Sequence, residues 1–329
     1  MRRIFVTLMI ALIPISPRAE DPATTAKTFH TSFAGWVQST GVRTAALSLR
    51  YNDASVGTFT VSSGAVAINA GTMVDLASLS KAITGVCMAA LVNEGRITYD
   101  SMARDILALP KAAPITIAAL LSHSSGLERD RTQRFMAEWR DDPTARWDEV
   151  TAKSLTPSRL KPGKPAYFYS NENYAVLGSV IEKVTGEPYE AACRKRVLDP
   201  AGVKGVASDR FAAYLPWGGW QMSLPDYAAF TDYAFGKDGL LTADLGVLPQ
   251  AKIDGPVSYG MGMTQRQVED GRNIWHFGAL CFEDGPNFGS YVVHFTNGWT
   301  VVAWYDACVS WPQMMQLDAA IARVAHSQD

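Results

Sequence analysis

The chain has 329 residues, 47% hydrophobic and 19% charged, with a formal net charge of −2. That composition is globular and long enough for one large domain or two entwined ones. The near-neutral charge, with no basic block, argues against nucleic acid as a partner.

In chain order, residues 1–19, "MRRIFVTLMIALIPISPRA", join two arginines, an apolar core and small or turn residues. This is the shape of a secretory signal and is too short to span a bilayer. A cut after Ala19 and a secreted or periplasmic mature chain without a membrane span are expected, because no later apolar run is long enough to cross one. Residues 25–39 read as a helix. "VRTAALSLRY" and "GTFTVSSGAVAI" then read as two strands separated by the turn residues Asn52 and Asp53.

The next stretch, "DLASLSKAITG" at 75–85, places Ser78 three residues before Lys81, one helical turn apart. Ile83, Val86, Cys87, Ala90 and Leu91 follow at helical spacing and Gly95 closes the run, so Ser78 opens a buried amphipathic helix. There its backbone N–H is unpaired and the dipole favours negative charge. A second Ser-x-x-Lys, Ser158 to Lys161 in "PSRLKPG", sits between prolines and reads as a turn. Taken alone, Ser78 and Lys81 are also what a polar first turn on a core helix looks like.

Residues 100–225 read as mostly helical, with Pro- and Gly-rich breaks at 110–114, 162–165 and 215–219. Within them Tyr169 precedes Asn171 in "YFYSNENYAVLGSVIEKVTGEPYE", on a loop feeding a helix that buries Leu177, Ile181 and Val184 and stops at Gly186 and Pro188. Nearer the end come three strand-like runs, "RNIWHFGALC", "GSYVVHFTN" and "WTVVAWYDAC", with Asn297-Gly298 as a turn and a closing helix at about 312–326. His276 and Gly278 lie on the first of these strands. Strands at both ends and helices between them predict an α/β (α+β) fold, with an antiparallel sheet formed from both chain ends, flanked by helices, and a mostly helical region inserted. The expected division is a signal at 1–19 and one domain at 25–329, with its sheet region at about 25–75 and 225–329 and its helical region at about 76–224.

Of the four cysteines, Cys87 falls on the core face of the Ser78 helix and reads as a small buried hydrophobe. Cys281 and Cys308, the only pair near each other in sequence, leave a bridge open. The five histidines are scattered, no Cys/His cluster has metal spacing, and no glycine-rich phosphate loop occurs. Neither a metal nor another cofactor is expected.

Ser-x-x-Lys, then Tyr-x-Asn, then His/Lys-x-Gly on a late strand is the motif order of the serine β-lactamase and penicillin-binding superfamily. The flanks "ITIAALLSHSSGL" and "WGGWQMSLPDYAAF" and those quoted above resemble its class C-like branch, from about residue 30 to 310. The resemblance implies a β-lactamase/transpeptidase-like fold and an acyl-enzyme hydrolase. In it Ser78 is the nucleophile, Lys81 its base and Tyr169 the residue that shuttles the proton and later activates water. Asn171 would hold Lys81 and the substrate, and the N–H groups of Ser78 and Ala279 would hold the oxyanion. His276 would bond Tyr169 and supply a pH-dependent positive charge. Phe277 stands where many relatives carry threonine, which predicts weak action on β-lactams and peptidoglycan stems and better action on neutral esters or amides. The expected partner is a small-molecule or peptidoglycan-derived substrate. The rival readings are a true β-lactamase or D-alanyl-D-alanine carboxypeptidase, a D-amino-acid peptidase, and a non-catalytic binder of peptidoglycan fragments.

Overall fold

The two ends of the chain meet in one sheet. The structure, a computed structural model, describes residues 21–63, 67–127, 129–161, 166–241, 247–269 and 271–327. The expected signal at 1–19 lies outside them. The strands are β1 (Thr44–Tyr51), β2 (Ala54–Ser62), β3 (Val74–Asp75), β4 (Gly205–Ala207), β5 (Trp220–Met222), β6 (Ala251–Asp254), β7 (Val257–Gly260), β8 (Met263–Val268), β9 (Gly271–Leu280), β10 (Phe288–His294) and β11 (Trp299–Tyr305). The helices are α1 (Pro22–Thr40), α2 (Ser80–Asn93), α3 (Ala103–Ile106), α4 (Ile117–Leu121), α5 (Trp147–Ser154), α6 (Asn171–Thr185), α7 (Tyr189–Cys193), α8 (Leu215–Gly218), α9 (Leu224–Phe235) and α10 (Trp311–Ala325).

An eight-stranded sheet runs β2-β1-β11-β10-β9-β8-β7-β6, and β3-β5-β4 form a small second sheet. β1 pairs antiparallel with β11, from Ala45 opposite Tyr305 to Tyr51 opposite Trp299. Alternation along the strands divides the core in two. Leu47, Leu49, Val301 and Ala303 face α1 and α10, packing with Phe29, Phe33, Leu317 and Ile321. Ala46, Val292 and Val302 face the helical region, packing with Leu79, Ile83, Val86 and Leu177. Both faces of the central strands are covered, which is why they read as continuous apolar runs. The expected antiparallel sheet from both ends, flanked by helices, is present.

Two expectations need correction. Three further strands, β6 to β8, extend the sheet beyond the runs visible in the sequence. They are short and largely polar, with only Tyr259, Gly260, Met263 and Gln265 buried, so they lack an apolar periodicity. Cys87 is not a free hydrophobe. It is bonded to Cys193, 106 residues away, joining α2 to the end of α7. The open pair, Cys281 and Cys308, is also bridged.

Candidate active site

Ser78 lies in a 3-10 turn, Ala77–Leu79, that leads directly into α2. Ala77 holds a left-handed φ of +48°, a strained conformation for a residue with a β-carbon that persists only where the surroundings impose it. Those surroundings are visible. The Leu76 N–H donates to the Trp220 carbonyl, Ser290 Oγ donates to the Leu76 carbonyl at 2.7 Å, and the Tyr227 hydroxyl donates to the Leu79 carbonyl at 2.9 Å. β9 presses against this turn through Gly278. A β-carbon there would stand 2.8 Å from the Leu76 carbonyl oxygen and 3.0 Å from the Ser78 nitrogen.

One turn on, Lys81 is fully buried, and its Nζ donates to Ser78 Oγ at 3.1 Å and to the Trp217 carbonyl at 2.8 Å. Thr84 on the same helix donates to the Pro216 carbonyl at 2.6 Å, so α2 itself fixes the segment that receives the lysine. Burial pushes the Lys81 ammonium down to about 7, with Asp130 opposing the shift. A neutral amine beside a serine hydroxyl can accept its proton near neutral pH.

Tyr169 stands on the far side. Its ring is half-buried, and its hydroxyl end, crowded by protein, reaches His276 Nε2 at 3.5 Å. Lys81 Nζ lies 4.9 Å from the centre of its ring. Burial raises the phenol well above its ordinary value, against a hydrogen bond with Ser78, so its hydroxyl keeps its proton. His276 differs from expectation in charge. It is 5% exposed, and burial first, then the nearby Lys81, depress it to about 3. It is a neutral imidazole at physiological pH and supplies no positive charge.

Asn171 also differs. It is the first residue of α6, its amide nitrogen donates to Thr132 Oγ1 at 3.0 Å and Met136 Sδ at 3.7 Å, and among the described residues no hydrogen bond joins it to Lys81. The residue two positions on, more than half a turn round the helix, points the other way. Asn173 contacts His123 Nδ1 at 2.8 Å and accepts from Ser125 Oγ at 2.5 Å. His123, held at a φ of +55°, packs on Tyr169, Tyr174 and Tyr259 with ring centres 4.4, 5.1 and 4.7 Å away. Burial, with Lys81 and His276, keeps it uncharged, well below its usual value. This support behind Tyr169 is absent from the sequence reading. The one clue is that His123 lies in a polar run, "SHSSG", just after the apolar "IAALL".

Ser78, Tyr169, His276, Gly278 and Ala279 line one cleft of about 480 Å³, together with Tyr167, Tyr259, Trp275, Phe277 and Trp311. Asn171 is not among its walls. From Ile274 to Leu280 the even-numbered residues of β9 are buried and the odd-numbered ones half-buried. Phe277 points away from His276 and stacks on Tyr291 with ring centres 4.8 Å apart. The remote Ser158 lies within a 3-10 turn, Pro157–Arg159, with Lys161 just beyond it, as expected.

Penicillin-binding protein 4 of Amycolatopsis lactamdurans is 28% identical over 42% of this chain and 36% of its own length. Lovastatin esterase of Penicillium rubens is 28% identical over 39% of this chain and 37% of its own. The chain spans between about a quarter and somewhat over half of the length of the curated relatives it matches. The structure of a β-lactamase from Sulfitobacter sp. EE-36 superposes with a TM-score of 0.75, covering 94% of this chain and all of the other at 15% identity, a likeness of fold. The family model for Beta-lactamase matches residues 29–325. With that match across nearly the whole described chain, and a serine and a tyrosine lining its cleft with a buried lysine behind the serine, the protein belongs to the beta-lactamase family of serine hydrolases.

Proposed function

We propose that the chain is an exported, class C-like serine hydrolase that opens an ester or amide bond through an acyl-enzyme on Ser78 and acts weakly on β-lactams. The observation that carries the reading is the contact between Lys81 and Ser78 at 3.1 Å, with the lysine depressed to about 7. Lys81 takes the Ser78 proton, Tyr169 passes a proton to the leaving group, and the N–H groups of Ser78 and Ala279 receive the oxyanion. Water admitted past Tyr169 then releases the acid. Weak β-lactam turnover follows from the walls. No charged side chain is found among the described residues lining the cleft, and His276 is neutral, so a substrate carboxylate meets no countercharge there. The esterase relative supports the ester side of this reading, and the penicillin-binding relative supports the rival of a working β-lactamase or carboxypeptidase.

A fluorophosphonate and a labelled penicillin, applied to the purified protein, separate the readings. Label from the phosphonate alone is expected. Label from both favours the rival, and label from neither means a binder. Ser78→Ala should abolish the label and Ser158→Ala should leave it. Loss in the second variant alone would place the nucleophile elsewhere.

A further inference from the structure

The cleft does not stop at the catalytic face of the sheet. β9 pairs with β8 only as far as Trp275, whereas its pairing with β10 continues to Leu280. From His276 onward one edge of β9 therefore has no strand partner among the described residues, and the cleft bends round it to reach Phe277 and the first turn of α10. That far wall is apolar, made of Phe277, Trp311, Met314 and Met315, with Ile253 and Val257 beside it. Trp311 is 63% exposed, and Met315 and Ile253 are each 39% exposed. Of nine large apolar side chains exposed among the described residues, these three gather on one cleft. An apolar patch of this kind, continuous with a nucleophile, gains from covering by an apolar ligand group.

The wall is also built to hold its place. Ser310 and Gln313 form a reciprocal cap at the start of α10, which fixes Trp311 in the first turn. The Cys281–Cys308 bridge ties the residue after β9 to the segment just before that cap. Phe277 meets the Trp311 ring edge-on with centres 5.9 Å apart.

We infer that this wall is an acyl subsite, and that the substrates are uncharged esters whose acyl group carries an extended apolar chain or ring. The inference rests on the acyl-enzyme reading above. Its direction follows from the chemistry. Ser78 Oγ bonds to the acyl carbon as its proton passes to Lys81. The carbon–oxygen bond to the alcohol breaks, and the alcohol oxygen takes a proton through Tyr169. The leaving oxygen must therefore face Tyr169, and the acyl chain is turned the other way, along that edge of β9 toward Trp311. Water later adds to the acyl carbon and releases the carboxylic acid and free Ser78. An acyl carboxylate would meet no countercharge among the described residues of this wall.

The test is kcat/KM for p-nitrophenyl acetate, butyrate, hexanoate and octanoate below their micellar concentrations. Wild type should gain about two- to fourfold for each methylene that reaches the wall. Trp311→Ala and Met315→Ser should lower the octanoate-to-acetate ratio, Trp311→Ala by about tenfold or more. Leu109→Ala, an exposed apolar residue outside the cleft, should leave the ratio alone. The denaturation midpoint of each variant accompanies its kinetics. A flat or falling series in wild type, or a ratio unmoved in Trp311→Ala, overturns the acyl subsite. So does a gradient that appears only when the alcohol is lengthened on a fixed acetyl group. Ser78-dependent acetate turnover with a flat series overturns this inference alone, whereas no Ser78-dependent turnover of any ester overturns the hydrolase reading beneath it.

Discussion

Gly278 and Ser78 are in such close contact that a single added methyl group on the glycine would stand 3.0 Å from the serine's amide nitrogen. The strand that brings Ala279 into the cleft is thus seated directly on the turn that carries the nucleophile. Gly278→Ala should push the two apart. A fall in kcat of about 10²–10³ is expected, the scale of losing one oxyanion donor, with a stability cost of about 1–3 kcal/mol from overpacking. Ester turnover and a urea midpoint on the same sample check this. Unchanged kcat would mean that the two backbones are not a functional pair.

In the proposed mechanism Lys81 and Tyr169 divide the proton work. Lys81→Met and Tyr169→Phe should each lower kcat by about 10²–10⁴ with the fold retained, the usual scale for a positioned acid or base. Steady-state kinetics with circular dichroism decides it. Near-wild-type turnover in either variant removes that residue from the mechanism.

The pH profile has a definite sign. The base must be neutral to act, and Lys81 is depressed to about 7. Activity as kcat/KM should therefore be low in acid, rise about tenfold per pH unit, and level off above about pH 7. His276, depressed to about 3, is already neutral across that range. His276→Gln should change the height of the profile and not the position of its limb. A limb that moves in that variant would mean that His276 carries the titration.

Phe277→Thr restores the residue type of many relatives, on a side chain that faces away from His276 and stacks on Tyr291. It should cost about 1–3 kcal/mol of stability through lost ring packing. The ratio of penicillin to acetate turnover should stay within about threefold, since the cleft still lacks a cation. A gain in that ratio of about tenfold, roughly one hydrogen bond to a charged group, would make the position a carboxylate reader.

Much of this was legible in the sequence, and the rest was hidden for physical reasons. Ser78, Lys81, Tyr169 and His276 are local patterns whose order survives without a fold, and the cleft gathers Ser78, Tyr169 and His276 above the buried lysine. The strong apolar strands at both ends were equally readable. β6 to β8 were not, because short, half-exposed strands carry no periodic signal. The Cys87–Cys193 bridge joins positions 106 apart, one of them on an apolar helix face where a thiol reads as a hydrophobe. The charge of His276 depends on burial, a property of the assembled site, and the direction of Asn171 depends on its place at the first position of α6.

The pairing of β1 with β11 has a consequence for how the molecule comes into being. The first strand made is a neighbour of the last, Ala45 lying opposite Tyr305. The ribosome must therefore deliver almost the entire chain before the central sheet can close. Contacts so distant in sequence make folding slow. Through that interval β1 presents an apolar edge with no partner, the kind of surface on which incomplete chains associate. Yield during synthesis should accordingly be limited by how well the growing chain is shielded, and a chain lacking its last strands should aggregate instead of folding to a smaller core.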